Sequence, residues 1–211
     1  MKTRARFRWL VACAMIFAVI GASAGDLASM IGHAQFVTLE TALGEIEIEL
    51  DVEHAPNTTT NFKRYVAAGQ YDGGFFGRTV RPDNQRSAAT PIAVIQAYVN
   101  PDSDADAFGH LRLERTLDTG LTHVDGALSM ARAGIDDATS AFFVCVGDQP
   151  ELDFGGKRHP DGQGFAVFGR VIRGMEVVRR IHLSAAEGET LAPPIRIIKA
   201  RFHARSRDST R

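Results

Sequence analysis

Cysteine is nearly absent from this chain: two residues in 211, Cys13 and Cys145. If the N-terminal segment containing Cys13 is removed, one thiol remains. An internal disulfide is then excluded, and stability has to come from a buried apolar core. Charge of one sign is also lacking, with 24 Lys and Arg against 25 Asp and Glu. No basic surface suited to a phosphate backbone is expected, so nucleic acid is not an expected partner. The longest apolar run, Trp9 to Ile20, is too short to favour a permanent membrane span. There is no internal repeat, no phosphate-cradling glycine loop and no heptad pattern. The seven histidines (33, 54, 110, 123, 159, 182, 203) include no H-x-x-x-H pair. No zinc site, other metal or cofactor is therefore expected. Ser129 and Ser140 have no nucleophile-elbow context, which argues against a serine hydrolase.

What is present suits one globular domain: 45% hydrophobic and 23% charged residues. The N-terminus stands apart. Lys2, Arg4, Arg6 and Arg8 precede the apolar run, and Ala22-Ser23-Ala24 follows it. That order predicts a signal peptide over residues 1–24, with a retained N-terminal anchor as the alternative. The mature chain is expected to start at Gly25 or near Gln35, in the periplasm or outside the cell, with no stable membrane span after cleavage. Loss of residues 1–24 removes four basic and no acidic side chains, moving the net charge from −1 to −5. The folded domain is expected over residues 35–202, with a basic, disordered tail from His203 to Arg211. Cys145 reads as a small buried hydrophobe in an apolar strand.

Between those ends the pattern is mostly that of strands. From Val37 to Asp51, Ile46, Ile48 and Leu50 alternate with Glu45, Glu47 and Glu49, predicting a hairpin broken at Thr41-Ala42-Leu43-Gly44. Pro56 opens a helix with Phe62, Tyr65 and Val66 as its apolar stripe and Gly69 at its stop. Strands are expected within Tyr71–Arg81 and Ile92–Tyr98, at Ala127–Met130 and Phe142–Val146, and over Phe165–Val171 and Ile195–Phe202. Loops separate them at 100–109 and 148–164. Met175, Val178 and Ile181 recur at helical spacing and give a second helix. Short strands with two helices predict a mostly β, closed antiparallel barrel with a helix at each opening.

Two motifs carry a family likeness. Gly126 to Gly134, GALSMARAG, and Ser140-Ala141-Phe142-Phe143 stand in the order and spacing of the central cyclophilin motif. Ala55 to Phe62, APNTTTNF, is similar to the first cyclophilin helix. The chain thus resembles cyclophilin-type peptidyl-prolyl cis-trans isomerases from about Val37 to Phe202. The resemblance implies a barrel of about eight strands capped by two α-helices. It also implies catalysed rotation about X–Pro bonds, with proline-containing peptides and unfolded exported proteins as partners, and a monomer is expected.

Rotation of a prolyl amide must overcome a barrier of ~18–20 kcal/mol because conjugation is lost in the twisted state. Neither a nucleophile nor a tuned proton donor is required. An apolar pocket for the ring and a rigid N–H donor aimed at the twisting amide are enough, and a guanidinium supplies several donors in one plane. Phe75-Phe76-Gly77-Arg78 resembles the segment bearing the family's catalytic arginine, which makes Arg78 the expected catalytic residue; Arg81 is a weaker rival on the opposite strand face. Val94-Ile95-Gln96 resembles the family's F-M-x-Q, with Gln96 expected to orient Arg78. By the same resemblance Met130, Ala131, Arg132, Ala141, Phe143, Leu152 and Phe165 complete the expected substrate groove. Some positions depart from the family pattern. Ala141 stands for a usual Gln, Ala97-Tyr98 for a glycine pair, Glu151 for a variable Trp, Phe165 for a common His and Val94 for a larger Phe. These departures motivate an alternative: a catalytically weak barrel that binds proline-containing segments as a chaperone or interaction module.

Overall fold

The computed structural model describes residues 35–85 and 90–203; the expected signal segment and the tail beyond His203 lie outside them. The chain starts with the expected hairpin, β1 (Phe36–Thr41) and β2 (Gly44–Leu50). Its turn is closed by the Thr41 hydroxyl, which donates to the Gly44 carbonyl at 2.6 Å and accepts from the Leu43 amide at 3.1 Å. Gly44 sits at φ 129°, a conformation open to glycine. Ile46, Ile48 and Leu50 are buried while the intervening glutamates face solvent, as the alternation requires.

Helix α1 (Pro56–Ala67) has no hydrogen-bonding side chain of its own at the N-cap, where Ala55 sits. Glu114 takes that place from a distant loop, accepting from the amides of Asn57 (3.0 Å) and Thr58 (2.8 Å). A carboxylate there satisfies orphan N–H groups and complements the helix dipole. Phe62, Tyr65 and Val66 turn inward.

The remaining elements are β3 (Phe75–Val80), β4 (Val94–Tyr98), α2 (Thr116–Thr119), β5 (Ala127–Met130), β6 (Phe142–Cys145), β7 (Val167–Arg173), α3 (Met175–His182), β8 (Ala186–Glu187) and β9 (Thr190–His203). The sheet runs β1-β2-β7-β5-β6-β4-β3-β9 and closes through a β1–β9 pairing, with β8 paired only to β9. Every pairing is antiparallel. The expected closed barrel is therefore present, with eight strands in the ring.

Some boundaries differ from expectation. There are three α-helices among the described residues, not two. The extra one, α2, is a single turn with Leu117 exposed, so it has no apolar stripe to announce it. The last strand begins at Thr190 and includes His203, because its first residues pair with β8 and His203 pairs with Phe36. Phe165 precedes β7 rather than joining it, since its amide is spent on the Leu152 carbonyl at 3.0 Å.

Inside the barrel, Phe62 packs against Tyr71, Phe142 and Phe168 with ring centroids 5.2–5.4 Å away. Each such buried ring contributes about 1.5–3 kcal/mol of transfer free energy. A second apolar cluster lies on the outside of the wall: Val80, Ile92, Val94, Ala127, Phe143, Cys145, Leu152 and Val167. Cys145 is wholly buried there, and burial pushes its thiol pKa well above the ordinary range. It packs as the small hydrophobe expected.

Candidate active site

Strand register assembles the site. Arg78 of β3 stands opposite Gln96 of β4, Gln96 opposite Phe143 of β6, Phe143 opposite Ser129 of β5, and Ser129 opposite Val167 of β7. Residues opposed across a ladder point to the same face, so this is one row crossing the outer wall. Gly77 creates a register shift just before Arg78. A Cβ at Gly77 would lie 2.6 Å from the Phe75 ring and 3.2 Å from that of Tyr98, two rings stacked at 5.4 Å. Glycine is thus required for that pair to sit beside the bulge.

A groove of about 450 Å³ opens over the row, lined by Arg78, Val94, Gln96, Ala131, Arg132, Phe143, Leu152 and Phe165 among others. The Arg78 guanidinium donates through Nη1 to Gln96 Oε1 at 3.0 Å, and through Nε and Nη2 to Glu189 Oε2 at 2.8 and 2.5 Å. Phe143 forms the floor, with the Phe165 ring edge-on at 5.6 Å. The Arg132 guanidinium lies 5.0 Å over the Phe165 ring. It is nearly inaccessible and grips Asp161 by both carboxylate oxygens, at 2.8 and 2.9 Å. That pairing holds the Asp161 carboxyl well below the usual carboxylate range. Arg132 therefore braces the groove wall and has no charge to spare for a ligand.

Three expected groove residues lie elsewhere. Ile95 and Met130 are buried in the barrel interior, opposite Val144 and Phe142. The reason is the two-residue period of a strand: with Val94, Gln96 and Ser129 on the outer face, Ile95 and Met130 must face inward. Ala141 is half-buried and does not line the groove; its carbonyl accepts from the Ala131 amide at 2.9 Å. Arg81 is far from a catalytic role, donating to the carbonyls of His182 (2.9 Å) and Ser184 (3.3 Å) at the end of α3.

The structure also adds groove residues that the sequence did not reveal: Ile92, Ala133, Asp137, Thr139, Arg158 and His159. His159 is held in place, with Nε2 2.9 Å from the Ala133 carbonyl and Nδ1 2.9 Å from Asp161 Oδ1. Most of these lie in non-periodic loops, where sequence pattern says little about facing. Glu189 was missed for the same reason.

Behind Phe143 is a buried polar relay. His123 stacks on the Phe143 ring at 5.9 Å, its Nδ1 lies 2.7 Å from Asp153 and its Nε2 3.0 Å from the Ser129 hydroxyl. Burial lowers the His123 pKa, outweighing Asp153, so the imidazole is neutral, donating from Nδ1 and accepting from Ser129. The order of groups is that of a hydrolytic triad, but Ser129 and His123 are almost fully inaccessible. The relay supports the floor. A cavity of about 510 Å³ elsewhere on the wall, lined by Asp51, His54, Leu121 and Arg170 among others, contains none of the row except Val167 at its edge.

Residues 36–202 match the model of the family described as cyclophilin type peptidyl-prolyl cis-trans isomerase/CLD. The chain belongs to this family. It is 35% identical over 158 residues to peptidyl-prolyl cis-trans isomerase A of Dickeya dadantii (strain 3937), covering 74% of this chain and 75% of the relative. It is 34% identical over 166 residues to peptidyl-prolyl cis-trans isomerase ppi1 of Schizosaccharomyces pombe, covering 78% and 96%. The fold is similar to a cyclophilin type isomerase from Cryptosporidium parvum, with a TM-score of 0.66 at 20% identity over 82% of this chain and all of the other. A second structure of that protein, in the presence of the dipeptide Ala-Pro, gives 0.65 at 21% identity, covering 81% and 99%. This cyclophilin is thus an isomerase of X–Pro bonds by family, and its groove is the place to ask how.

Proposed function

We propose that Arg78 is the catalytic donor and that the groove over Phe143 receives the proline ring. As the C–N bond twists, conjugation is lost and the nitrogen lone pair becomes available as an acceptor. A planar amide offers no such acceptor, so an N–H aimed at the nitrogen binds the twisted state better than the ground state. Three of the five guanidinium N–H groups of Arg78 are committed to Gln96 and Glu189, leaving two for a substrate. The observation that carries the reading is this held guanidinium at the rim of an apolar floor made by Phe143, Leu152 and Phe165.

The substrates on this reading are proline-containing segments of unfolded chains. The basic and apolar N-terminal segment supports export, so the clients are proteins folding in the periplasm or outside the cell. Two measurements test this. Exchange NMR on a short Ala-Pro peptide should show accelerated cis–trans interconversion at substoichiometric protein; line shifts without acceleration would instead indicate a binding module. Intact mass of the native protein should lack Met1 to Ala24, and a mass retaining them would contradict cleavage.

A further inference from the structure

The partner that distinguishes Arg78 is a carboxylate 111 residues away. Glu189 lies between β8 and β9, and its position is set by the backbone. The Thr79 amide donates to the Glu189 carbonyl at 2.9 Å, tying the turn to the residue next to Arg78. Asn84 donates at 2.9 Å to both the Thr79 and Gly188 carbonyls, fixing the same turn from the other side. Both side chains of the pair are about one-third exposed (36% and 30%), so the pair is not sealed in the core, and its Arg78 half lines the groove.

We propose that Glu189 is a positioning residue for catalysis: it grips the Nε–Nη2 edge of Arg78 and fixes the plane in which the free N–H groups meet the prolyl amide. Gln96 alone holds a single Nη1 donor, leaving the guanidinium free to swing about that contact. Two bonds to one carboxylate oxygen on the adjoining edge remove that freedom. Glu189 also offsets like charge. Arg158 lines the same groove and donates only to neutral acceptors among the described residues, Gln85 Oε1 and the Thr90 carbonyl. Burial and the nearby Arg78 both lower the Arg158 pKa, while Glu189 opposes them. Without Glu189, Arg78 would lose its carboxylate partner while a second guanidinium, Arg158, lines the same groove.

The inference rests on Arg78 being the donor, so both are tested together. The kinetics of Glu189→Ala, Glu189→Gln, Arg78→Ala and the double variant Arg78→Ala/Glu189→Ala are measured on one X–Pro peptide, with thermal melts alongside. Glu189→Ala should lower kcat roughly 10- to 100-fold, the scale of a misplaced catalytic group, with KM changed less than about two-fold. Glu189→Gln keeps an acceptor of the same length and should recover part of that loss, and it serves as the test should the alanine variant fold poorly. In the Arg78→Ala background, removing Glu189 should cost nothing more. Unchanged or raised kcat in both Glu189 variants, with Arg78→Ala inactive, would overturn the positioning role alone. So would an equal further loss in the double variant. Near-normal activity of Arg78→Ala would overturn the reading on which the inference stands.

Discussion

The two faces of β4, β5 and β6 are built by the same thirteen residues, yet they differ in chemistry. Inward go Ile95, Ala97, Leu128, Met130, Phe142 and Val144, all in one apolar core. Outward go Val94, Gln96, Ser129 and Phe143, which make a floor, an amide that accepts from Arg78 and part of a buried relay. The inner face is uniform in chemistry and sealed. The outer face mixes apolar, neutral polar and charged groups, and its polar groups find partners. Phe142 and Phe143 show the contrast within one dipeptide: the first touches Phe62, Tyr71 and Phe76, the second His123 and Phe165. A single strand can therefore carry stability on one side and function on the other, because its period of two separates them.

The sharpest break of this division is Phe142→Ala. It empties the centre of the aromatic cluster and should cost about 3–5 kcal/mol in chemical denaturation, while the surviving folded fraction keeps its KM. Phe143→Ala is the complementary change. It should raise KM and lower kcat/KM at least ten-fold, with a smaller stability loss of about 1–3 kcal/mol because the ring borders an open groove. Equal stability losses with unchanged kinetics for both would erase the distinction between the faces.

The relay behind Phe143 gives a pH signature. Burial lowers the folded pKa of His123, and of His182, below the ordinary 6.5. The unfolded chain then takes up protons first as pH falls, so their contribution to stability is complete above about pH 6.5 and is lost below it. Exposed His54, raised by Asp51, works in the opposite direction. Melting temperature should be level above pH 7 and fall on acidification, and His123→Gln should flatten that fall. The smallest effect is expected at Ala141. It is half-buried outside the groove lining, so Ala141→Gln should shift stability by less than about 0.5 kcal/mol. Peptide affinity should stay within about two-fold of the parent, read by titration, since the position is outside the groove lining.

Much of this was legible in the sequence. The β1–β2 alternation, the α1 stripe and the paired motifs around Met130 and Phe143 led to the barrel and to Arg78, Gln96 and Phe143. Ile95 and Met130 were misassigned because a motif read as a string does not state which alternate residue faces out. Register against a neighbouring strand decides that, and Met130 opposite Phe142 settles it. Glu189, Arg158 and His159 were not legible at all. They come from loops without a period and reach Arg78 or the groove only after the barrel closes.

Arg78, the proposed catalytic donor, is the member of the outer row that should carry rate and little stability, and Arg78→Ala separates the two. Isomerisation kinetics and a thermal melt are taken on the same purified sample. Removing one preorganised donor should lower kcat/KM by on the order of 10²–10³, with a melting temperature within a few degrees of the parent. A folded Arg78→Ala protein with near-parental kcat/KM would contradict that role.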